Sequence, residues 1–141
     1  MTEEEYIKER LEDQIKWYSK KATKNKSFNN WFKSFIIALS ATIPFIVGIE
    51  FDETLRNIVL SAIGVTITIL SGLSGLLKFQ EKWTEYRTTS ETLKHEKYLF
   101  KANAVPYNEE KEPYKLLVTR IEDIISREHS MWGQYINNKN K

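Results

Sequence analysis

The stretch from Asn57 to Leu77 constrains this chain more than any other, because its 21 residues include no charged side chain. As a helix rising about 1.5 Å per residue it is about 31 Å long, close to the roughly 30 Å hydrocarbon core of a bilayer. Arg56 and Lys78 bound it on either side. This length and lack of charge predict a transmembrane helix over 57–77.

A second uncharged run extends from Ser34 to Ile49 and contains Pro44, which predicts a kink. As a helix it is only about 24 Å long, short of the roughly 30 Å needed. Trp31 at the membrane interface and a snorkelling Lys33 extend it, so we assign the first transmembrane helix to 31–49. Taken alone this run also fits a buried helix of a soluble protein; next to 57–77 it is better read as the first arm of a hairpin.

The charges on either side of these runs predict their orientation. The link 50–56 has three acids and one base. Basic residues stand before the first run and after the second: Lys20, Lys21, Lys24, Lys26, Lys33, Lys78, Lys82 and Arg87. By the positive-inside rule, both termini are expected in the cytoplasm and 50–56 outside, in a multi-pass membrane protein.

Helical patterns continue on both sides of the hairpin. Thr2 and Glu5 fit a capping box, which opens a cytoplasmic helix expected over 1–30. Within it, Lys20–Lys26 either continues the helix or forms a short bend. The apolar residues of this segment recur at helical spacing: Ile7, Leu11, Ile15, Tyr18 and Ala22.

The chain after Leu77 lacks Gly and Pro as far as Asn103, so the second transmembrane helix is expected to continue rigidly to about 102. A seam at heptad-like spacing follows it: Phe79, Trp83, Tyr86, Ser90, Leu93, Lys97 and Phe100. Two prolines predict a loop over 103–113. A last cytoplasmic helix is expected over 113–137, with an apolar face of Leu117, Ile121, Ile124, Ile125, Trp132 and Tyr135.

These segments together predict an all-α fold in a single domain over 1–141. A two-helix transmembrane hairpin continues into a cytoplasmic three-helix bundle, with a long second transmembrane helix. The chain has no Cys and therefore no disulfide framework or Cys metal site. Its formal net charge of only +2 argues against nucleic acid as a partner.

One line of the second transmembrane helix consists of small residues at 3-4 spacing: Ser61, Gly64, Thr68, Ser71 and Gly75. We call these five residues the small-residue stripe. Small residues let helix backbones approach closely in lipid, so the stripe fits a helix-packing seam. It also fits the wall of a water-filled path through an oligomer, and in an oligomer both interpretations hold.

Two sets of polar and aromatic residues follow the stripe. Lys78 and Lys82 prolong it, and fit either a cytoplasmic pore mouth or ordinary positive-inside charge. Trp83, Tyr86, Arg87 and Glu91 fit either a ligand or inter-subunit contact or an interhelical core with a salt bridge. Glu91 and His95 have i,i+4 spacing but no third metal ligand. No catalytic, cofactor or metal arrangement stands out, so we do not expect an enzyme.

The block KFQEKWTEYRTTSETLKHEK, with the flanking LSGLSGLL, resembles a bacterial two-transmembrane family of unknown function. Weaker pieces are ERLEDQIKWY, PFIVG and ISREHSMW. That family is similar to the SLATT-type membrane effector domains. The resemblance implies a bacterial cell membrane protein that forms a pore in response to a cytoplasmic trigger. No sensor domain is attached here, so the trigger is expected to come from a partner or a ligand.

Two functional hypotheses follow. The first is a homo-oligomeric ion channel or pore-forming effector, because two short spans cannot enclose a path alone. The second is a membrane-anchored scaffold or sensor whose cytoplasmic helical bundle docks a partner. A channel needs the hydroxyls of the stripe to face a cavity, whereas an anchor needs them only against another helix.

Overall fold

The computed structural model describes residues 1–138, without the side chains of residues 132 and 135–138. This part of the chain is helical and contains no strand. In order, the helices are α1 (Glu3–Glu5), a π-helical segment (Tyr6–Leu11), α2 (Glu12–Gly48), α3 (Glu53–Leu77), α4 (Phe79–Lys101), a 3-10 turn (Tyr107–Glu109) and α5 (Pro113–Asn138). The predicted all-α class is confirmed.

The N-terminal helix begins at the predicted capping box. The Thr2 hydroxyl accepts a hydrogen bond from the Glu5 backbone N–H at 3.3 Å, and the Glu5 carboxylate accepts one from the Thr2 N–H at 2.9 Å. Beyond the π-helical segment, α2 continues without interruption through Lys20–Lys26 and through Pro44. The continuing helix, one of the two alternatives for Lys20–Lys26, is therefore confirmed, and the boundary expected between 1–30 and 31–49 is not the end of a helix.

The link between the apolar helices is shorter than the predicted 50–56. Helix α2 ends at Gly48 and α3 begins at Glu53. Asp52 is the N-cap of α3, and its Oδ2 accepts a hydrogen bond from the Leu55 N–H at 2.9 Å. An Asp at this position satisfies one of the free N–H groups of the first turn, which explains the early start.

Lys78 interrupts the continuous helix predicted from 57 to about 102. Helix α3 ends at Leu77, Lys78 adopts a left-handed conformation with φ 49°, and α4 begins at Phe79. A residue with a Cβ costs about 1–2 kcal/mol in this conformation. The prediction was wrong because it relied on the absence of Gly and Pro, and a lysine does not indicate a left-handed turn in a sequence.

The contacts divide the chain into two compact units. The first, which we call the core unit, consists of Met1–Lys21 and the described residues from Glu85 onward. Its ten buried core residues come from the π-helical segment, the start of α2, α4, the 3-10 turn and α5: Tyr6, Ile7, Leu11, Ile15, Tyr18, Leu93, Tyr107, Leu117, Ile121 and Ile125. The predicted apolar faces of the first and last helices are thus confirmed. The side chains of Trp132 and Tyr135, also predicted for that face, lie outside the described part.

The second unit, Ala22–Thr84, contains the two uncharged runs, and we call it the hairpin unit. Half-buried residues follow one another at 3-4 spacing along both of its helices, which is the pattern of two helices packed side by side. We call this contact the hairpin seam. It consists of Phe32, Ile36, Leu39, Ile43 and Ile46 on α2, and of Arg56, Leu60, Ile63, Ile67, Leu70 and Ser74 on α3.

The left-handed residue gives a testable prediction. Replacing Lys78 with Gly should raise the free energy of unfolding by about 1 kcal/mol, because Gly adopts a positive φ without steric cost. The matched control is Lys82→Gly inside α4, which should lower it by about 1 kcal/mol. Unfolding of the detergent-solubilised protein, followed by circular dichroism, measures both. Loss of stability in both variants would contradict the left-handed turn.

Candidate functional site

The hairpin unit has the features of a membrane segment. Both of its apolar helices are long and apolar enough to cross a membrane, and none of the most apolar 18-residue window of either is buried. Ile37, Phe45, Ile58, Val65 and Leu76 are each 60–69% exposed. An exposed apolar surface of this extent normally marks a site that a partner protein or lipid covers.

The small-residue stripe lies outside the hairpin seam. Ser61, Thr68, Ser71 and Gly75 are exposed, and only Gly64, at the edge of the seam, is half-buried. At 3.6 residues per turn, the centre of the stripe lies about 100° round the α3 axis from the centre of the seam. The hairpin therefore packs through bulky aliphatic residues and leaves its line of small residues facing outward.

The stripe leaves room for close approach. A Cβ added at Gly64 or Gly75 meets no heavy atom within 4 Å. The Thr68 hydroxyl donates to the Gly64 carbonyl of its own helix at 2.9 Å, as the Thr66 hydroxyl donates to Ala62 at 2.8 Å on the opposite face. The Thr68 oxygen therefore faces outward mainly as an acceptor, with its donor already used within the helix.

Lys78 and Lys82 do not extend the stripe in its own register, because the helix breaks at Lys78. The Lys78 Nζ lies 3.6 Å from Glu81 Oε2. Lys82 is half-buried. Both nevertheless remain in the hairpin unit at the end opposite the acidic link. The predicted ring at a pore mouth stays a prediction, and it no longer rests on a continuation of the stripe.

The predicted group of Trp83, Tyr86, Arg87 and Glu91 is divided between the two units. In the hairpin unit, the Lys26 Nζ lies 5.5 Å from the centre of the Trp83 ring. In the core unit, the Tyr86 ring packs against Trp17 and Tyr18, with centroids 5.9 and 6.2 Å away. Arg87 and Glu91 form an exposed ion pair of 3.3 Å on α4. Tyr86 and the Arg87–Glu91 pair therefore have separate local roles.

The core unit contains a buried carboxylate that the sequence did not reveal. Glu96 of α4 is 4% exposed. Arg120 of α5 donates to both of its oxygens, at 2.9 and 2.6 Å, and the Tyr107 hydroxyl donates at 2.5 Å. Burial alone would raise the pKa of Glu96, but these hydrogen bonds outweigh it and the pKa is lowered. The carboxylate stays ionised and joins α4, the 3-10 turn and α5.

The same arrangement occurs again where α5 meets the N-terminal segment. Glu122 accepts two hydrogen bonds from Arg10, at 3.1 and 3.0 Å, and one from the Tyr6 hydroxyl at 2.9 Å. The Arg10 hydrogen bonds lower the pKa of Glu122. Burial and the nearby Glu128 carboxylate raise the pKa of Tyr18. In the Glu96 and Glu122 networks, a tyrosine and an arginine both donate to a buried or half-buried carboxylate.

Another long-range pair joins the start of α2 to α4, because the Lys97 Nζ lies 2.7 Å from Glu12 Oε1. The core unit also has a cavity of about 740 Å³, whose lining includes Glu3, Glu4, Ile7, Lys8, Glu12, Phe100, Lys101, Glu112 and Tyr114.

The Glu96 network predicts an asymmetric response to arginine removal. Arg120→Leu should lower the free energy of unfolding by about 2–3 kcal/mol at neutral pH, because it removes two of the hydrogen bonds to a buried charged acceptor. Arg127→Leu, on the same helix, is the control. Its ion pair with Asp123 is exposed, so the loss should stay within about 0.5 kcal/mol. Urea unfolding followed by circular dichroism measures both free energies. Equal losses of stability in the two variants would contradict the network.

The stability difference between wild type and Arg120→Leu should depend on pH. Because the pKa of Glu96 is lowered on folding, its stabilisation is complete above the ordinary value of 4.5 and is lost as the pH falls through the lowered value. In Arg120→Leu, burial should instead raise the pKa of Glu96, so protonation relieves the buried charge. The stability gap between wild type and Arg120→Leu should therefore narrow below pH 4.5. A gap that stays constant would show that Arg120 acts through packing alone.

Comparison with known proteins places the chain in a family. A family model described as a protein of unknown function, DUF4231, matches residues 13–115. No curated protein and no solved structure matches the chain. The expected resemblance to a family of unknown function is thus confirmed, and its relation to the SLATT-type domains stays a prediction. Because the match covers more than half of the 141 residues, the chain belongs to the DUF4231 family.

Proposed function

We propose that this protein is an integral membrane protein whose copies assemble into a homo-oligomer with an ion-conducting path lined by α3. One observation carries the proposal: the small-residue stripe lies outside the hairpin seam, on a face that no other part of the hairpin covers. The bulky residues that would be expected to face lipid or the second helix occupy the other sides of α3.

Membrane insertion is supported by the surface of the hairpin unit. Its apolar helices have no charged side chain from Ser34 to Ile49 or from Asn57 to Leu77. Water is a poor solvent for their exposed aliphatic and aromatic side chains, and lipid is a good one. Both segments are helical, so most of their backbone polar groups pair within the helix, as a spanning segment requires.

The charges at the two ends of the hairpin unit favour one orientation. Lysines gather at the end of the hairpin unit that contains residues 24–33 and the turn at Lys78, while Glu50, Asp52 and Glu53 lie at or beside the link. By the positive-inside rule the lysine end lies in the cytoplasm, and so do both termini. The proposed location is the bacterial cell membrane, since the resemblance is to a bacterial family.

Oligomerisation is proposed because one copy has only two membrane helices. Two helices packed along one seam leave no path between them, so ions can cross only between several copies. Gly64 and Gly75 have open space where a Cβ would stand, which permits a second helix to approach closely. The stripe then serves as a contact between copies, as the wall of the path, or as both on its two flanks.

The resemblance to SLATT-type domains favours an effector that opens in response to a cytoplasmic trigger. The core unit is the proposed receiver of this trigger, because it is the part of the chain with its own hydrophobic core. A scaffold or sensor is the alternative. It is favoured by the cavity of about 740 Å³ in the core unit, which offers a partner or ligand both charged and aromatic side chains.

The orientation predicts the labelling of single cysteines, which is straightforward because the chain has no Cys. Thr54→Cys, in the first turn of α3, should react in intact cells with a reagent that does not cross membranes. Ser19→Cys should react only after the cells are opened. The reverse pattern would overturn the assigned orientation, and labelling of both in intact cells would overturn the hairpin.

The stripe predicts how substitutions change flux through liposomes that contain the purified protein. Gly64→Leu should abolish ion flux or break the oligomer, because it adds bulk where a neighbouring copy approaches. Thr68→Val keeps the shape and removes the hydroxyl, so it should lower the conductance by drying the constriction. Thr66→Leu, on the opposite face of α3, is the control and should leave both flux and oligomeric mass unchanged.

The scaffold alternative has a different outcome. If the wild-type oligomer conducts no ions and Thr68→Val leaves its mass unchanged, the channel proposal fails. If Thr68→Val lowers the association by about 1 kcal/mol without any flux to alter, the stripe is a packing seam only. Native mass spectrometry measures the association, and a fluorescent ion indicator inside the liposomes measures the flux.

A further inference from the structure

A groove of about 610 Å³ lies on one face of α2 at the lysine end of the hairpin unit. It is lined by Lys24, Ser27, Phe28, Trp31 and Phe32, which share one side of the helix because they are three and four residues apart. Phe28 is 43% and Trp31 57% exposed. The groove thus offers aromatic walls with an amine and a hydroxyl at its N-terminal end.

The walls of this groove are held in place by neighbouring rings. Phe28 stacks on Phe79 with ring centroids 5.5 Å apart and 17° between the planes. Trp31 stacks on Phe35 at 5.3 Å and 7°. Because these rings are fixed by other contacts, the groove is formed before any ligand arrives. An occupant needs an apolar body to cover the rings.

Lys24, at the charged end of the groove, differs from the other lysines nearby in its contacts. The Lys26 Nζ lies over Trp83, the Lys33 Nζ donates to Gln80 Oε1 at 2.9 Å, and Lys78 lies near Glu81. No hydrogen-bond or ion-pair partner reaches the Lys24 Nζ within residues 1–138. An occupant that complements this end carries a negative charge.

The positions along α2 fit the depth of a lipid. Lys24 precedes Trp31 by seven residues, or about 10 Å of helix. With Trp31 at the boundary of the hydrocarbon, the Lys24 amine reaches the level of the phosphates, since the headgroup layer is roughly 5–8 Å thick on each side. A molecule that joins an anionic group to an apolar chain over this distance is a phospholipid.

We propose that this groove binds an anionic phospholipid of the cytoplasmic leaflet. The Lys24 amine and the Ser27 hydroxyl bind its phosphate, and an acyl chain lies along Trp31 and Phe32. The proposal rests on membrane insertion of the hairpin unit and does not require that the protein conducts ions. Inorganic phosphate carries the charge without the chain and leaves the aromatic walls uncovered.

The test uses the full-length protein in phosphatidylcholine vesicles that contain a minor share of phosphatidylglycerol. Bromine atoms on the acyl chains of one lipid at a time quench tryptophan fluorescence on contact. At equal mole fractions of brominated lipid, phosphatidylglycerol should quench more than phosphatidylcholine, and Trp31→Phe should remove this excess. Inorganic phosphate in the buffer should not reduce it.

Two variants and one control locate the lipid. Lys24→Gln should weaken the preference for phosphatidylglycerol about fivefold. Ser27→Leu fills the groove without changing charge and should weaken it as well. Lys33→Gln removes the same charge from a lysine already bound to Gln80, and should leave most of the preference intact.

Each contrary result overturns a distinct statement. Equal losses in Lys24→Gln and Lys33→Gln, with none in Ser27→Leu, would show diffuse attraction of the membrane and no site. Equal quenching by the two brominated lipids would show that the groove does not select charge. Displacement by inorganic phosphate would assign the lysine end to a soluble anion. Failure of the protein to float with vesicles of phosphatidylcholine alone would instead contradict membrane insertion.

Discussion

Exposed apolar surface on the hairpin unit is the constraint on which the other features depend. Its two helices cover each other along one seam only, and their most apolar windows have no buried residue. Such a surface requires a medium or partner that covers it. Charged residues lie only at the two ends of this surface. The acids lie at the link between α2 and α3, and the lysines lie at the opposite end, near the turn between α3 and α4.

The core unit obeys the opposite constraint. Ten of its apolar side chains are buried in a core of the unit's own. The carboxylates of Glu96 and Glu122 are then satisfied by arginine and tyrosine from other helices. Such networks are costly when incomplete, so they favour one arrangement of the helices. A unit of this kind suits the reception of a signal or partner, as the proposed function requires.

Local patterns predicted the fold where short-range chemistry decides it. The capping box at Thr2, the apolar spacing from Ile7 to Ala22 and the loop before Pro113 are all visible in the sequence because neighbouring residues produce them. The turn at Lys78 was not, because nothing about a lysine favours a positive φ. The partners of Glu96, Glu122 and Glu12 were missed for another reason. Each pair joins residues from different helices, and helical spacing predicts only neighbours three and four residues apart.

The central claim is that the small-residue stripe faces another copy of the chain, and disulfide formation between copies tests it most directly. Thr68 and Thr66 make a matched pair, because both are exposed and both hydroxyls bond to their own helix. In native membranes under mild oxidation, Thr68→Cys should give a covalent dimer on a non-reducing gel, and Thr66→Cys should stay monomeric. Absence of the dimer in Thr68→Cys, or equal dimer in both variants, would contradict the account.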